Sequence, residues 1–467
     1  MINFWDSEVW SWILIFGILM AALLVGNILK RKLPFLTDSL IPTSVIGGAV
    51  LLIVESVYKL ITSEVMFDAA VFGGQGNDML EIITYHTLAL GFIASSFKTN
   101  GGRLNRKRIN EVFNTGVTTV STYLLQGIFG LGITLIAALV IPGFFKAAGV
   151  LLPFGYGQGT GQAMNYGALY ESEFGFVGGR SFGLTVAALG FLSAALGGVV
   201  HLNVMKRRGM LVRSKRTDGS LHTEEMDSVG EMPMQESVDK MTVQIALITV
   251  AYVFTYLIML GISKLAPGMV ALIYGFNFLI GVLVATLMKV ALNLFYNKGI
   301  SRRKYTNNFL MTRASNFFFD VMVISGVAAI RLDILERYWG IILILGVVGL
   351  IITYIYNRIV AKTLFGDYVE EQFLAMYGML TGTASTGIIL LREIDGDFRT
   401  PASDNLVYQN FPAIVFGFPM MFLAELAPKK PILTLIIFVV FFLVMNILLF
   451  RSFIFKRKRR NSEVAEN

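Results

Sequence analysis

Leu151 to Asn165 reads LLPFGYGQGTGQAMN, with glycine at Gly155, Gly157, Gly159 and Gly161. Each glycine inside a helix destabilises it by roughly 1 kcal/mol relative to alanine, so the alternation predicts a broken or looped backbone. The surroundings make such a break unusual. The 467-residue chain is 55% hydrophobic and 15% charged, with a mean hydropathy of +0.66. That composition excludes a water-soluble enzyme of this size. Irregular backbone at membrane depth is tolerated only where protein or a water-lined cavity satisfies its polar groups. The glycine-rich stretch is therefore where this chain departs from a plain bundle of spans.

Outward from it, Val9–Leu29 and Pro431–Phe450 carry no charge, and each is long enough to cross a hydrocarbon core of about 30 Å as a helix. No basic segment precedes the first and no small-residue cleavage site follows it, so it reads as a retained span rather than a signal peptide. Further helices are expected near 38–61, 82–97, 113–141, 180–204, 241–263, 268–288, 309–330, 338–357 and 405–426, making eleven. The chain has no Cys and three His, which argues against disulfides, thiolate metal sites and a His-rich metal centre.

The net charge is +8. With the N-terminus outside, 30 of the 39 Lys and Arg fall in cytoplasmic segments and 7 outside, with Lys59 and Arg313 inside helices. This is the positive-inside pattern, so the surplus reports orientation and not a nucleic-acid partner. It places the C-terminal KRKRR run, Lys456–Arg460, in the cytoplasm as a stop-transfer anchor.

The long polar stretch Lys206–Lys240 leaves five spans before it and six after, so the second half enters the membrane in the opposite sense. A second glycine-rich segment, GMLTGTASTG, runs from Gly378 to Gly387. Gly157 follows Pro42 by 115 residues, and Gly382 follows Pro267 by the same interval; ALGFIASSFK ending at Lys98 resembles ISGVAAIRLD ending at Asp333. The expected fold is an all-α polytopic membrane protein of two inverted five-helix repeats, each with a re-entrant Gly-rich hairpin, plus one extra C-terminal helix, about 11 spans in all. The divisions are 1–205 (first repeat), 206–240 (cytoplasmic linker), 241–426 (second repeat) and 427–467 (extra helix and basic tail). Paired interrupted segments in opposed halves point to a transporter's binding site.

At such breaks, helix N-termini present N–H groups to a carboxylate, while freed carbonyls and hydroxyls replace the water shell of a small cation. The expected substrate contacts are Gly157, Gln158, Gly159, Thr160, Gly382, Thr383, Ser385, Thr386 and Arg313, and the sodium candidates are Thr160, Thr381, Thr383 and Asp320. Close helix packing through small residues is the competing reading of both segments. Asp320 is expected to be buried in its span, with Arg313 near the same helical face. His86 reads as a hydrogen-bonded packing residue, and Glu171 and Arg180 as a gate or a solvated loop. Neither glycine segment has the Lys of a phosphate-binding loop, and the first lacks the spacing of a dinucleotide fingerprint.

LIPTSVIGG (Leu40–Gly48), KTNGGR (Lys98–Arg103) and GYGQGTGQA followed by EFGFVGGRSFGLTVAALGFLSAALGG (Glu173–Gly198) resemble the bacterial glutamate:sodium symporter family. The likeness covers about residues 10–205 and 240–425. Gly155-Tyr156-Gly157-Gln158-Gly159-Thr160 stands where the family has a Gly-Gly-His-Gly-Thr run, and Gly382-Thr383-Ala384-Ser385-Thr386 lacks the family's Pro. The resemblance implies a homodimeric secondary carrier in the bacterial cytoplasmic membrane. In it, an elevator-like transport domain moves against a dimerising scaffold, and sodium as coupling ion, with no cofactor, drives glutamate uptake. A sodium- or proton-coupled carrier of another organic anion or amino acid, or a channel, remain alternatives. An enzyme is not expected, since one membrane His, one Asp and no Cys make no catalytic dyad.

Overall fold

In lipid, backbone polar groups must be satisfied within the segment, so long uncharged runs fold as helices. A computed structural model describes residues 3–38, 41–98, 106–208, 238–266, 270–332, 338–395 and 399–451. Among them there is no strand. The helices of the first half are α1 (Ser7–Lys32), α2 (Pro34–Asp38), α3 (Thr43–Thr62), α4 (Gly76–Phe97), α5 (Arg106–Val140), α6 (Leu151–Gln158), α7 (Thr160–Phe174) and α8 (Gly179–Arg207). Those of the second are α9 (Lys240–Leu265), α10 (Val270–Gly275), α11 (Asn277–Asn297), α12 (Asn308–Ala328), α13 (Trp339–Leu364), α14 (Val369–Thr381), α15 (Ala384–Arg392), α16 (Ala402–Tyr408), α17 (Asn410–Lys429) and α18 (Pro431–Leu449).

Ten helices among the described residues are long and apolar enough to cross a membrane, and the chain is a multi-pass, all-α membrane protein. Eleven were expected. The difference is α12, which forms over the expected residues but is too polar to qualify, carrying Arg313, Asp320, Asn308, Thr312, Ser315 and Asn316. Most of the 206–240 linker, the KRKRR run, most of KTNGGR, Pro267 and Asp333 lie outside the described residues.

The chain divides into two compact units, and each draws on both halves of the sequence. The units therefore do not follow the 1–205 and 241–426 division. The first contains most of α1, then α3, α4 and α9 to α12. Its core joins Ile93, Ala94 and Phe97 of α4 to Ile248 and Ala251 of α9, Val284 and Ala285 of α11, and Met311 and Ala314 of α12. Small residues let these helices approach, as van der Waals packing in lipid favours. A Cβ on Gly91 would strike the Phe319 ring, and one on Gly48 would strike Val327.

The second unit contains α5 to α8 and α13 to α18. Its longest element is the 35-residue α5, against which α6, α13, α17 and α18 pack. Pro428, inside α17, has no N–H for the Ala424 carbonyl four residues back, so that acceptor needs another donor. Tyr170 of α7 supplies it, donating to the Ala424 carbonyl at 2.7 Å, while Tyr166 donates to the Met421 carbonyl at 3.2 Å.

Candidate functional site

Both glycine-rich segments fold as helix, break, helix, and both belong to the second unit. The expected break in this glycine run is present, and it is confined to one residue. Gly155 and Gly157 remain helical in α6, and the break falls at Gly159 (φ +84°, ψ −172°), a left-handed φ that favours glycine. The other glycines serve close approach. A Cβ on Gly157 would enter the Tyr123 ring, whose hydroxyl donates to the Gly157 carbonyl at 3.0 Å. A Cβ on Gly149, just before α6, would collide with the Gly130 backbone of α5. In the second segment α14 ends at Thr381, and Gly382 and Thr383 lead into α15.

Of the predicted contacts, Gln158 ends α6 and is half-buried, and Thr160 opens α7 fully buried. Thr381 donates its hydroxyl to the Tyr377 carbonyl at 2.6 Å. Thr383 is half-buried, its hydroxyl 3.4 Å from that of the buried Thr386; the Ser385 side chain lies outside the described residues. The two breaks share a wall. A Cβ on Gly190 of α8 would lie 2.5 Å from the Thr381 carbonyl oxygen and 3.2 Å from the Tyr156 ring. The Tyr156 hydroxyl donates to the Gly346 carbonyl at 2.6 Å and meets Ser193 at 2.8 Å.

Arg313 and Asp320 belong to the first unit. Both are exposed, which corrects the expectation of a buried Asp320. Two turns separate them along α12; Arg313 sits over the Phe309 ring at 4.9 Å, and Asp320 faces the Ser44 hydroxyl. His86, in the same unit, contacts the Tyr252 hydroxyl through Nδ1 at 2.7 Å, the hydrogen-bonded role its sequence context suggested. Glu171 accepts from the Arg180 backbone N–H at 3.2 Å.

Five other residues carry unpaired polar atoms around the breaks. On α7, one turn past the first break, neither side-chain amide atom of Gln162 has a partner although the residue is buried, and Asn165 Nδ2 is likewise buried and unpaired. So is Arg331 Nε, in a residue whose backbone N–H donates to Ser181 at 3.2 Å. Ser181 lies between Gly179 and Gly183 on α8, which pack against Gly167 and Ala163 on α7, so the Arg331 backbone N–H lies about level with Asn165. Three of these four unpaired atoms are donors, and Gln162 lies in the first turn of a helix whose Gly159 offers no side-chain cap. Such an end favours an anion.

At the second break Gln126 of α5 donates through Nε2 to the Leu380 carbonyl at 2.9 Å and to Thr353 Oγ1 at 2.8 Å. Asn357 of α13 donates to the Thr353 carbonyl at 2.9 Å. The oxygens of both amides are buried and unpaired. At the other end of α14, Arg358 grips Glu370 bidentately at 2.6 and 2.7 Å, and His201 Nε2 meets the same carboxylate at 2.7 Å. A carboxylate only accepts, so His201 Nε2 carries the hydrogen and Nδ1, 2.8 Å from the Tyr354 hydroxyl, accepts when the ring is neutral.

Gln162 and Asn165 sit inside the stretch that the glycines already mark, at i, i+3 spacing, and were legible there as polar residues in an apolar run. Gln126, Asn357 and Arg331 gave no such signal. Among the described residues no group of three or more His, Cys, Asp or Glu is arranged to hold a metal ion. No known family and no curated protein matches this chain.

Proposed function

We propose that this protein is a secondary active transporter that couples sodium entry to glutamate uptake by alternating access. One observation carries the reading: a single unit holds two interrupted helix pairs, one ending in a helix N-terminus with unpaired donors, the other in a helix C-terminus with unpaired acceptors. An anion and a cation are the solutes those ends suit. The carboxylate is assigned to Gln162, Asn165 and Arg331 beside Gly157, Gln158, Gly159 and Thr160, with Gly382, Thr383, Ser385 and Thr386 closing the site.

The repeat reading gains support from element order. Three long helices of the first unit, then one long helix, a short interrupted pair and a further long segment of the second unit occur in each half, with α18 added at the end. We read these halves as inverted repeats, the interrupted pairs as re-entrant hairpins, and the first unit as the dimerising scaffold of an elevator-like homodimer. With α12 counted as a span despite its polarity, the Lys and Arg distribution puts the N-terminus outside and the C-terminus inside a bacterial cytoplasmic membrane.

The test is uptake of labelled glutamate into proteoliposomes under an imposed sodium gradient. Accumulation that follows the gradient is expected; uptake indifferent to sodium removes the coupling. Competition by other carboxylates distinguishes glutamate from another organic anion, and equilibration without accumulation marks a channel.

A further inference from the structure

Where α18 ends, the second unit holds an arginine in place with its charge unmatched. Arg451 donates through Nη1 to Asn114 Oδ1 at 3.0 Å and to the Leu448 carbonyl at 2.9 Å, and through Nη2 to Asn110 Oδ1 at 3.3 Å. Its guanidinium lies over the Phe113 ring, 4.7 Å from the centroid. A guanidinium only donates, so both amides of α5 must turn their oxygens toward it. Every one of these partners is neutral. Among the described residues no carboxylate reaches Arg451, and its Nε donates to none of them.

The first turn of α5 carries three more basic residues, and two of them are matched: Lys107 pairs with Asp367 at 2.7 Å and Arg108 with Glu111 at 2.8 Å. Arg106 is exposed and has no partner among the described residues. It stands four residues before Asn110, on the same helical face, so the unmatched charges of Arg106 and Arg451 lie at one end of the unit. That end is at the membrane surface. α18 has 19 residues, about the thickness of a hydrocarbon core, so a side chain two residues beyond it lies at the level of the headgroups. α5, with 35 residues, is about 50 Å long and reaches past the core to meet it. Val444 and Ile447 of α18 and Ile109 of α5 are exposed beside these charges, an apolar surface along which an acyl chain can lie.

We propose that Arg451 and Arg106, with Asn110 and Asn114 bracing the first, bind the phosphodiester of an anionic phospholipid. The two amides and the Phe113 ring fix the guanidinium before a ligand arrives, so little rotamer freedom remains to be lost on binding. The unused donors of the guanidinium suit phosphate oxygens. At headgroup depth the phosphates of anionic lipids are the negative groups at hand, and basic side chains there attract them. This site is independent of the transport reading above and of the sense in which the chain enters the membrane.

The experiment is retention of labelled phosphatidylglycerol or phosphatidylcholine by the purified full-length protein in micelles of a neutral detergent. Each basic residue at the headgroups is worth about fivefold, so phosphatidylglycerol is expected to be retained about 25-fold over phosphatidylcholine. Arg451→Gln and Arg106→Gln are each expected to cut that preference about fivefold. The preference is a ratio within one preparation, so a loss of stability in Arg451→Gln cancels, and Arg106→Gln changes an exposed residue. Replacing the basic run Lys456–Arg460, which lies outside the described residues, by glutamine is expected to leave most of the preference. Equal retention of the two lipids, or a preference unchanged in either single variant, overturns the site. Loss of the whole preference with the Lys456–Arg460 charges assigns it to the tail and overturns the site too, and displacement of the lipid by inorganic phosphate marks a site for a free anion instead.

Discussion

The two interrupted helix pairs of the second unit are held in different ways. The first is seated by backbone approach: Gly149 lies against Gly130, Gly155 against α8 and Gly157 under Tyr123, and every residue from Leu151 to Gly157 is buried. The second is held by polar side chains along its length, with Arg358 and His201 at Glu370, Thr115 accepting from Gln372 at 3.2 Å, and Gln126 at Leu380. Its tip is open, with Ala384 exposed. Glycine contacts fix position with little tolerance, since close-packed backbone cannot yield. A seam of hydrogen bonds fixes register while leaving exchangeable partners, which suits a segment that must both hold and release.

The comparison breaks first at the glycines. Gly149→Val, which drives a side chain into the Gly130 backbone, is expected to destabilise the protein by about 3 kcal/mol or more; near-wild-type unfolding would show that the first pair is not seated by backbone contact. Next is ligand preference. Arg331→Gln and Gln162→Leu are expected to weaken anion binding about tenfold to a hundredfold, as glutamate titrations of the purified protein would show; unchanged affinity in both would remove the anion from the first break.

Accessibility comes third. The chain has no Cys, so single-cysteine variants report cleanly. Ala384→Cys is expected to react with a soluble maleimide about tenfold faster than Thr160→Cys, which is fully buried. The fourth effect is smaller and depends on pH. Burial raises the Glu370 carboxyl, but the hydrogen bonds from Arg358 and His201 outweigh it and hold the group below its usual value of 4.5. A depressed carboxylate contributes stability that is full above the unfolded value and lost as pH falls through the folded one. The unfolding temperature should therefore drop as pH falls below 4.5, less steeply in Glu370→Gln. The smallest effect is at the exposed Lys107–Asp367 pair, 2.7 Å apart, where Lys107→Ala should leave the unfolding temperature unchanged.

Helix positions were legible because uncharged runs in lipid have one backbone solution. The breaks were legible as glycine-rich segments but not to the residue, because composition does not separate a glycine that turns the chain from one that admits a neighbour. Gly159 does the first, Gly155 and Gly157 the second. Arg313 and Asp320 drew attention as charges in an apolar helix, yet the structure places them at a surface of the first unit. Gln126 and Asn357 were passed over because each is a lone neutral amide in its own helix. Only tertiary pairing through Thr353 sets them side by side.

Gly190 of α8 bears on both breaks, with Thr381 on one side of its missing side chain and Tyr156 on the other. The two interrupted segments are thus not independent variables. A substitution that shifts Tyr156 moves the surface against which Thr381 rests, so changes made singly in each segment will fail to add when combined.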